Sequence, residues 1–255
     1  MTFDFKNKVV LITGGTSGIG LAAAELFSLA GARVALVGRS PERGQAAIRY
    51  LGGKGGQAEF FSGDVSLAAD CAKVVRQTAE VFGGLDIVVN SAGEYLEKSI
   101  TDTDEADFDR MMDVHVKGTY FICKQAIVYM RQGGGGSIVN VSSDAGLRGN
   151  ILCTAYCAAK GAVTNLTRAL ALEAILYNIR VNCVCPGDVA TPMLERQLAE
   201  MPDAAASLKE MQSLYPAGRI ATADEVAKVI CFLASDAASF VNGAAWTVDG
   251  GLTAC

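Results

Sequence analysis

Three tyrosines in the chain are followed four positions later by a lysine: Tyr50–Lys54, Tyr120–Lys124 and Tyr156–Lys160. Residues four apart share one face of a helix. An ammonium beside a phenol favours the phenolate and draws its pKa down from about 10 toward the working range. Such a pair can give and take a proton at a reacting oxygen. The neighbourhood chooses among the three. Tyr50–Lys54 runs into the glycine-rich stretch Gly52–Gly56 and reads as surface. Tyr120–Lys124 falls mid-helix with no polar strand end beside it. Tyr156–Lys160 opens a helix that follows an apolar run ending Val141-Ser142-Ser143. That run delivers a hydroxyl to the same edge. Ser143 is the expected partner, and Ser142 is the alternative one residue away.

A second group of residues suits an anion. Thr13-Gly14-Gly15-Thr16-Ser17-Gly18-Ile19-Gly20 joins an apolar run to a helical one. Glycine lets the backbone turn tightly and lets a pyrophosphate approach it. The helix start then offers free N–H groups and the positive end of its dipole. The next apolar run ends Leu36-Val37-Gly38-Arg39-Ser40. An acidic residue there would hold a ribose 2′-hydroxyl. Gly38 has no carboxylate, whereas Arg39 can pair with a 2′-phosphate and Ser40 can add a hydroxyl donor. This favours NADP, with NAD as the alternative.

The elements that must position these groups alternate along the chain. Strands are expected at Lys8–Thr13, Arg33–Val37, Ala58–Ser62, Leu85–Asn90, Ser137–Val141, Arg180–Cys185 and Ala245–Val248. Helices are expected at Ile19–Leu29, from Pro41, and at Leu67–Phe82, Glu105–Arg131, Thr154–Tyr177 and Ala223–Ala234. Near-continuous Val/Ile/Leu strands alternating with helices predict a parallel sheet covered on both faces. The expected fold is a single doubly wound, Rossmann-type α/β domain over residues 1–255, with about seven parallel strands. Residues 190–218 are irregular and read as an insertion above the sheet's C-terminal edge, a substrate lid.

Composition narrows the partners. Half the residues are hydrophobic (51%), enough for a large core, and the net charge is −5, which gives no support for nucleic-acid binding. No apolar run is long enough to span a bilayer, and no signal peptide is read at the N-terminus. Eight cysteines and one histidine lack the clustering of a zinc site. They read as reduced thiols of a cytoplasmic protein with no metal.

The spacing T-G-x-x-x-G-x-G resembles that of the short-chain dehydrogenase/reductase family. Further landmarks follow in order: Asp64-Val65, Asn90-Ser91-Ala92-Gly93, and Pro186-Gly187 with Val189 and Thr191. The resemblance runs from about Lys8 to Leu252. It implies that Gly14, Thr16, Ser17, Gly18, Ile19 and Gly20 hold the pyrophosphate and that Asp64 and Val65 hold the adenine. It implies too that Asn90, Ala92 and Gly93 line the cofactor groove and that Pro186, Gly187, Val189 and Thr191 meet the nicotinamide. It makes Tyr156 the general acid in reduction and base in oxidation, Ser143 the group that polarises the carbonyl, and Lys160 a pKa-shifting residue that also holds the ribose. His115, the one histidine, stands where the family has an asparagine of a proton relay. It is expected to make the rate pH-dependent near its own pKa.

The implied activity is hydride transfer between NADP, or NAD, and a small carbonyl or secondary alcohol, by a homotetramer. Alternatives are an NAD-linked hydroxysteroid or alcohol dehydrogenase, a 3-oxoacyl-thioester reductase, and a catalytically weak nucleotide-binding sensor. Gly134 and Leu172 occupy places where carrier-protein reductases offer arginines, which counts against an acidic carrier protein. The apolar content of the two long middle helices, including Phe121, Ile122, Ile127, Val128, Val163 and Leu166, agrees with a subunit interface.

Overall fold

The strand at the centre of the protein, β1 (Val9–Thr13), is β-branched at every position but Leu11 and buried along its whole length. The structure, a computed structural model, describes residues 3–254. From β1 the chain continues through α1 (Gly18–Leu29), β2 (Arg33–Gly38), α2 (Pro41–Gly52), β3 (Gln57–Ser62), α3 (Ala68–Phe82) and β4 (Ile87–Asn90). The second half runs α4 (Glu105–Met111), α5 (Gly118–Gln132), β5 (Gly136–Val141), α6 (Thr154–Ala174) and β6 (Ile179–Pro186). It ends with β7 (Val189–Ala190), α7 (Pro192–Ala199), α8 (Ala204–Ser213), β8 (Ala221–Thr222), α9 (Ala223–Ala234) and β9 (Ala245–Val248).

Seven strands form one sheet in the order β3-β2-β1-β4-β5-β6-β9, every pair parallel. The order reverses between β1 and β4, which opens a crevice above the strand ends where doubly wound folds take their ligands. Alternate residues of each strand feed opposite faces. Val10, Ile12, Val34 and Leu36 pack under α1 and α9, while Val9, Leu11, Ala35 and Val37 pack under α3, α5 and α6. Two-sided burial explains why these strands read as unbroken apolar runs.

Two segments differ from expectation. The long helix expected at Glu105–Arg131 is interrupted by a π-helix at Met112–Lys117. The wider turn re-aims His115 inward, and such turns recur at functional sites. The insertion at 190–218 is helical rather than irregular. Pro192 starts α7 at its first turn, and Asp203 caps α8 by accepting from Ala206 N at 3.0 Å. Its two ends are pinned by a separate parallel pair, β7 with β8. Thr154–Tyr177 is α-helical to Ala174 and then tightens to a 3₁₀ turn.

Candidate active site

The glycine turn holds β1 and α1 at a separation no side chain would permit. Gly14 has φ +65°, and a Cβ there would lie 2.8 Å from the Ala92 backbone. A Cβ on Gly20 would lie 2.4 Å from the Gly14 carbonyl. Ser17 precedes α1 without capping it, and no acidic residue occupies the first turn. The positive end of α1 is thus left for an anion. Thr191 approaches from the far side, its methyl 3.3 Å from where a Gly18 Cβ would stand. Thr13 Oγ1 accepts from the backbone N–H groups of Ser91 and Ala92, both at 3.2 Å, which ties the loop after β4 to the turn.

The remaining groove residues stand at neighbouring strand ends. Asp64 accepts from Ser66 N and Oγ, and Val65 sits against Gly118. Asn90 is buried and donates to Asn140 Oδ1 at 2.9 Å, and Asn140 donates to Thr167 Oγ1 at the same distance. This amide chain joins β4, β5 and α6, and sequence reasoning missed its last two members. Arg39 is two-thirds exposed and pairs with Glu94 Oε1 at 3.0 Å. Ser40 caps α2, accepting from Arg43 N and donating to Glu42, so its hydroxyl is committed within the protein. Pro186 ends β6. Gly187 lies so close to Tyr215 that a Cβ would come within 2.7 Å of the ring. Val189 is buried in β7, and Thr191 leads into α7 with no capping bond from its side chain.

At the ends of β5 and α6 the structure brings Ser143, Tyr156, Lys160 and His115 together. The Ser143 hydroxyl is hydrogen-bonded beside the Tyr156 phenol and pulls its pKa down, but burial outweighs that and raises it. The nearby carboxylates of Asp144 and Asp188 push it up further. Lys160 is buried at 5% exposure, its Nζ 5.6 Å from the Tyr156 ring centre and donating to Val141 O at 2.9 Å. Burial pushes its pKa down to about 8. Ser142 is turned away: its hydroxyl donates to Lys160 O and pairs with Thr164, fastening α6 to β5. Tyr50 and Lys54 bind each other and Glu25 on the surface, and Tyr120 is half exposed on α5.

His115 stands edge-on to Tyr156, ring centres 5.5 Å apart, and its Nε2 donates to Glu94 O at 2.8 Å. Burial first, and then the Lys160 charge, pushes its pKa down to about 3. Both effects favour the neutral imidazole, so the pH dependence expected of it is moved below the ordinary histidine range. The folded pKa lies below the unfolded one, so this group's contribution to stability is complete above pH 6.5 and drains away toward pH 3. Because the chain has one histidine, an NMR titration needs no assignment. The imidazole resonances are expected to stay flat from pH 8 to pH 5, and an inflection near 6.5 would contradict this geometry.

Several site residues escaped the sequence reasoning. Ser143 donates to Asp144 Oδ1 at 2.8 Å, and Asp144 is held in turn by Asn150 and Arg148. Tyr215 is buried and donates to Asp188 Oδ2 at 2.8 Å. Tyr95 stacks edge-on to Tyr156 at 5.2 Å and donates to Glu97, which also takes Gln197 of α7. The available signal was positional for three of them: Asp144, Asp188 and Tyr95 each lie within two residues of a motif already singled out, whereas Glu97 and Tyr215 do not.

A family model described as enoyl-(acyl carrier protein) reductase matches residues 14–253. An uncharacterized oxidoreductase of Thermotoga maritima is 43% identical over 98% of this chain and 99% of its own length. A 2-(S)-hydroxypropyl-CoM dehydrogenase of Xanthobacter autotrophicus is 40% identical over the full length of both. The crystal structure of levodione reductase superposes with a TM-score of 0.95 at 33% identity, covering 98% of this chain and 99% of that one.

Proposed function

The chain belongs to the short-chain dehydrogenase/reductase family of alcohol and carbonyl oxidoreductases, and on that premise we propose that it moves a hydride between a nicotinamide cofactor, NADPH by preference, and a small carbonyl or secondary alcohol, with Tyr156 carrying the proton. The observation that carries this reading is the convergence of Ser143, Tyr156 and Lys160 at one edge of the sheet, across the crevice from the glycine turn.

The residues present fit such a cofactor. The close approaches at Gly14 and Gly20 and the uncapped start of α1 suit a pyrophosphate. Thr191 and Gly187 would hold the nicotinamide end, and Asp64 and Val65 the adenine end. When bound, the nicotinamide supplies or accepts the hydride. The chain's own residues manage the proton. In reduction Tyr156 donates from its phenol to the developing alkoxide, and in oxidation its phenolate takes the alcohol proton. Ser143 holds the same oxygen and stabilises its charge once its hydroxyl turns from Asp144 Oδ1, which it meets in the free protein. Lys160 keeps a positive charge beneath the ring, which favours the phenolate against the burial that opposes it. Neutral His115 fixes the Tyr156 ring edge-on and anchors the loop at Glu94.

The preference for NADPH rests on Gly38 and Arg39. A carboxylate is missing where a ribose 2′-hydroxyl would need one, and a guanidinium follows directly. Steady-state kinetics on a carbonyl panel should give a higher kcat/KM with NADPH than with NADH, and Arg39→Ala should lose that preference through KM. Equal values for the two cofactors in the parent enzyme would overturn it. The homotetramer follows a similar line. Ile122 and Val163 belong to the core, but Val128, Tyr120 and Leu172 are left exposed on α5 and α6, as a subunit interface would use them. Seven described cysteines are free, in keeping with a reducing cytoplasm. No described helix is long and apolar enough to cross a membrane.

A further inference from the structure

Glu94 joins the two ends of the site. Its carboxylate takes Arg39 Nη2 on Oε1 at 3.0 Å and Arg110 Nε on Oε2 at 3.3 Å. Asp107 holds Arg110 from the other side at 3.1 Å, so the arrangement is braced. The Glu94 carbonyl accepts from His115 Nε2, which stands against Tyr156. Arg39 follows β2 and Glu94 follows β4, and both strands are immediate neighbours of β1. The Arg39–Glu94 bridge therefore passes over the C-terminal end of β1, where the glycine turn begins. A dinucleotide in this fold lies across that ground.

We propose that Glu94 is a specificity-determining residue for the cofactor, latching Arg39 across the groove so that only a dinucleotide bearing a 2′-phosphate recovers the guanidinium it displaces. The inference rests on the cofactor reading above. Any dinucleotide must part Arg39 from Glu94. A 2′-phosphate then takes the guanidinium in a charge-assisted pair. A free 2′-hydroxyl offers no charge in exchange, and Glu42, the carboxylate that follows β2, is already taken by Ser40 Oγ at 2.7 Å. The latch thus holds NADH affinity below what the groove itself would provide. Its strength is that of a half-exposed ion pair.

The test is the affinity for NADH, read by nucleotide fluorescence, of the parent protein, Arg39→Gln, Glu94→Gln and the double variant. A residue that merely reads phosphate would leave NADH untouched when removed. The latch requires each single variant to bind NADH about two- to five-fold more tightly. The double variant should gain no more than either single one, because both remove the same bond. NADPH should tighten in Glu94→Gln and weaken in Arg39→Gln. Structural damage lowers affinity, so it cannot imitate these gains. Unchanged or weaker NADH binding in either single variant, or gains that multiply in the double, overturns the latch. If no form of the protein binds either dinucleotide, the cofactor reading itself falls and the latch with it.

Discussion

Tyr156→Phe is expected to lower kcat/KM by about 10² to 10⁴, the range a positioned acid–base group supplies, while cofactor binding persists. The substitution removes one oxygen and leaves the ring, whose edge-on contacts with His115 and Tyr95 at 5.5 and 5.2 Å do not involve the hydroxyl. The fold and the cofactor groove therefore stay intact, and the loss falls on the proton step. It should appear in kcat, since the hydroxyl acts on charge that develops only in the transition state. The phenol's pKa is raised by burial and by the carboxylates of Asp144 and Asp188. A raised pKa keeps the group protonated at neutral pH, which suits the donor in reduction, whereas oxidation needs the phenolate. The oxidation rate should accordingly climb with pH beyond the point where the reduction rate has begun to fall. A Tyr156→Phe enzyme that keeps more than about a tenth of parental kcat/KM would remove Tyr156 from the proton step.

The sheet and the glycine turn were legible because local rules dictate them. Unbroken Val/Ile/Leu runs require two covered faces, and a turn that brings Gly14 within a Cβ's reach of Ala92 admits no side chain. The choice between Ser142 and Ser143 was harder. Adjacent hydroxyls at a strand end differ only in the direction they point, and that depends on a register the sequence leaves open. The structure engages Ser142 with Thr164 and Lys160 O and leaves Ser143 beside Tyr156. The π-helix around His115 was hidden for another reason. One wide turn barely disturbs the apolar periodicity, so Glu105–Arg131 reads as continuous. The charge network was invisible, because Arg39 and Glu94 lie 55 positions apart and meet only through the strand order. Burial, too, is a tertiary property, and it moves His115 out of the physiological titration range.

Lys160→Met is expected to raise thermal stability while it abolishes most turnover. The ammonium is buried and donates to the Val141 carbonyl at 2.9 Å. Burial lowers its pKa from 10.5 to about 8, so the folded chain holds this proton less tightly than the unfolded chain. Between about pH 8 and 10.5 the unfolded state carries the extra proton, and stability rises with pH; below 8 the full penalty is present. At neutral pH that penalty is about 3 kcal/mol. Methionine keeps an unbranched apolar stem and removes the charge. It also leaves the Val141 carbonyl short of a donor, which takes back about 1 kcal/mol. The balance favours the variant, and at about 2–4 °C per kcal/mol for a chain of this size its Tm should rise by several degrees at pH 7. The gain should fade as pH climbs from 8 toward 10.5, since the parent lysine then loses its charge and its penalty together. A lower Tm for the variant at pH 7, or a gain independent of pH, would show that Lys160 is not a strained group. Kinetics complete the test. The charge that costs stability is the one that favours the Tyr156 phenolate, so the more stable variant should lose at least about 10²-fold in kcat. A gain in Tm together with that loss in kcat would show a destabilising ammonium kept where the proposed chemistry needs it, the trade-off that separates a site built for turnover from one that only binds a nucleotide.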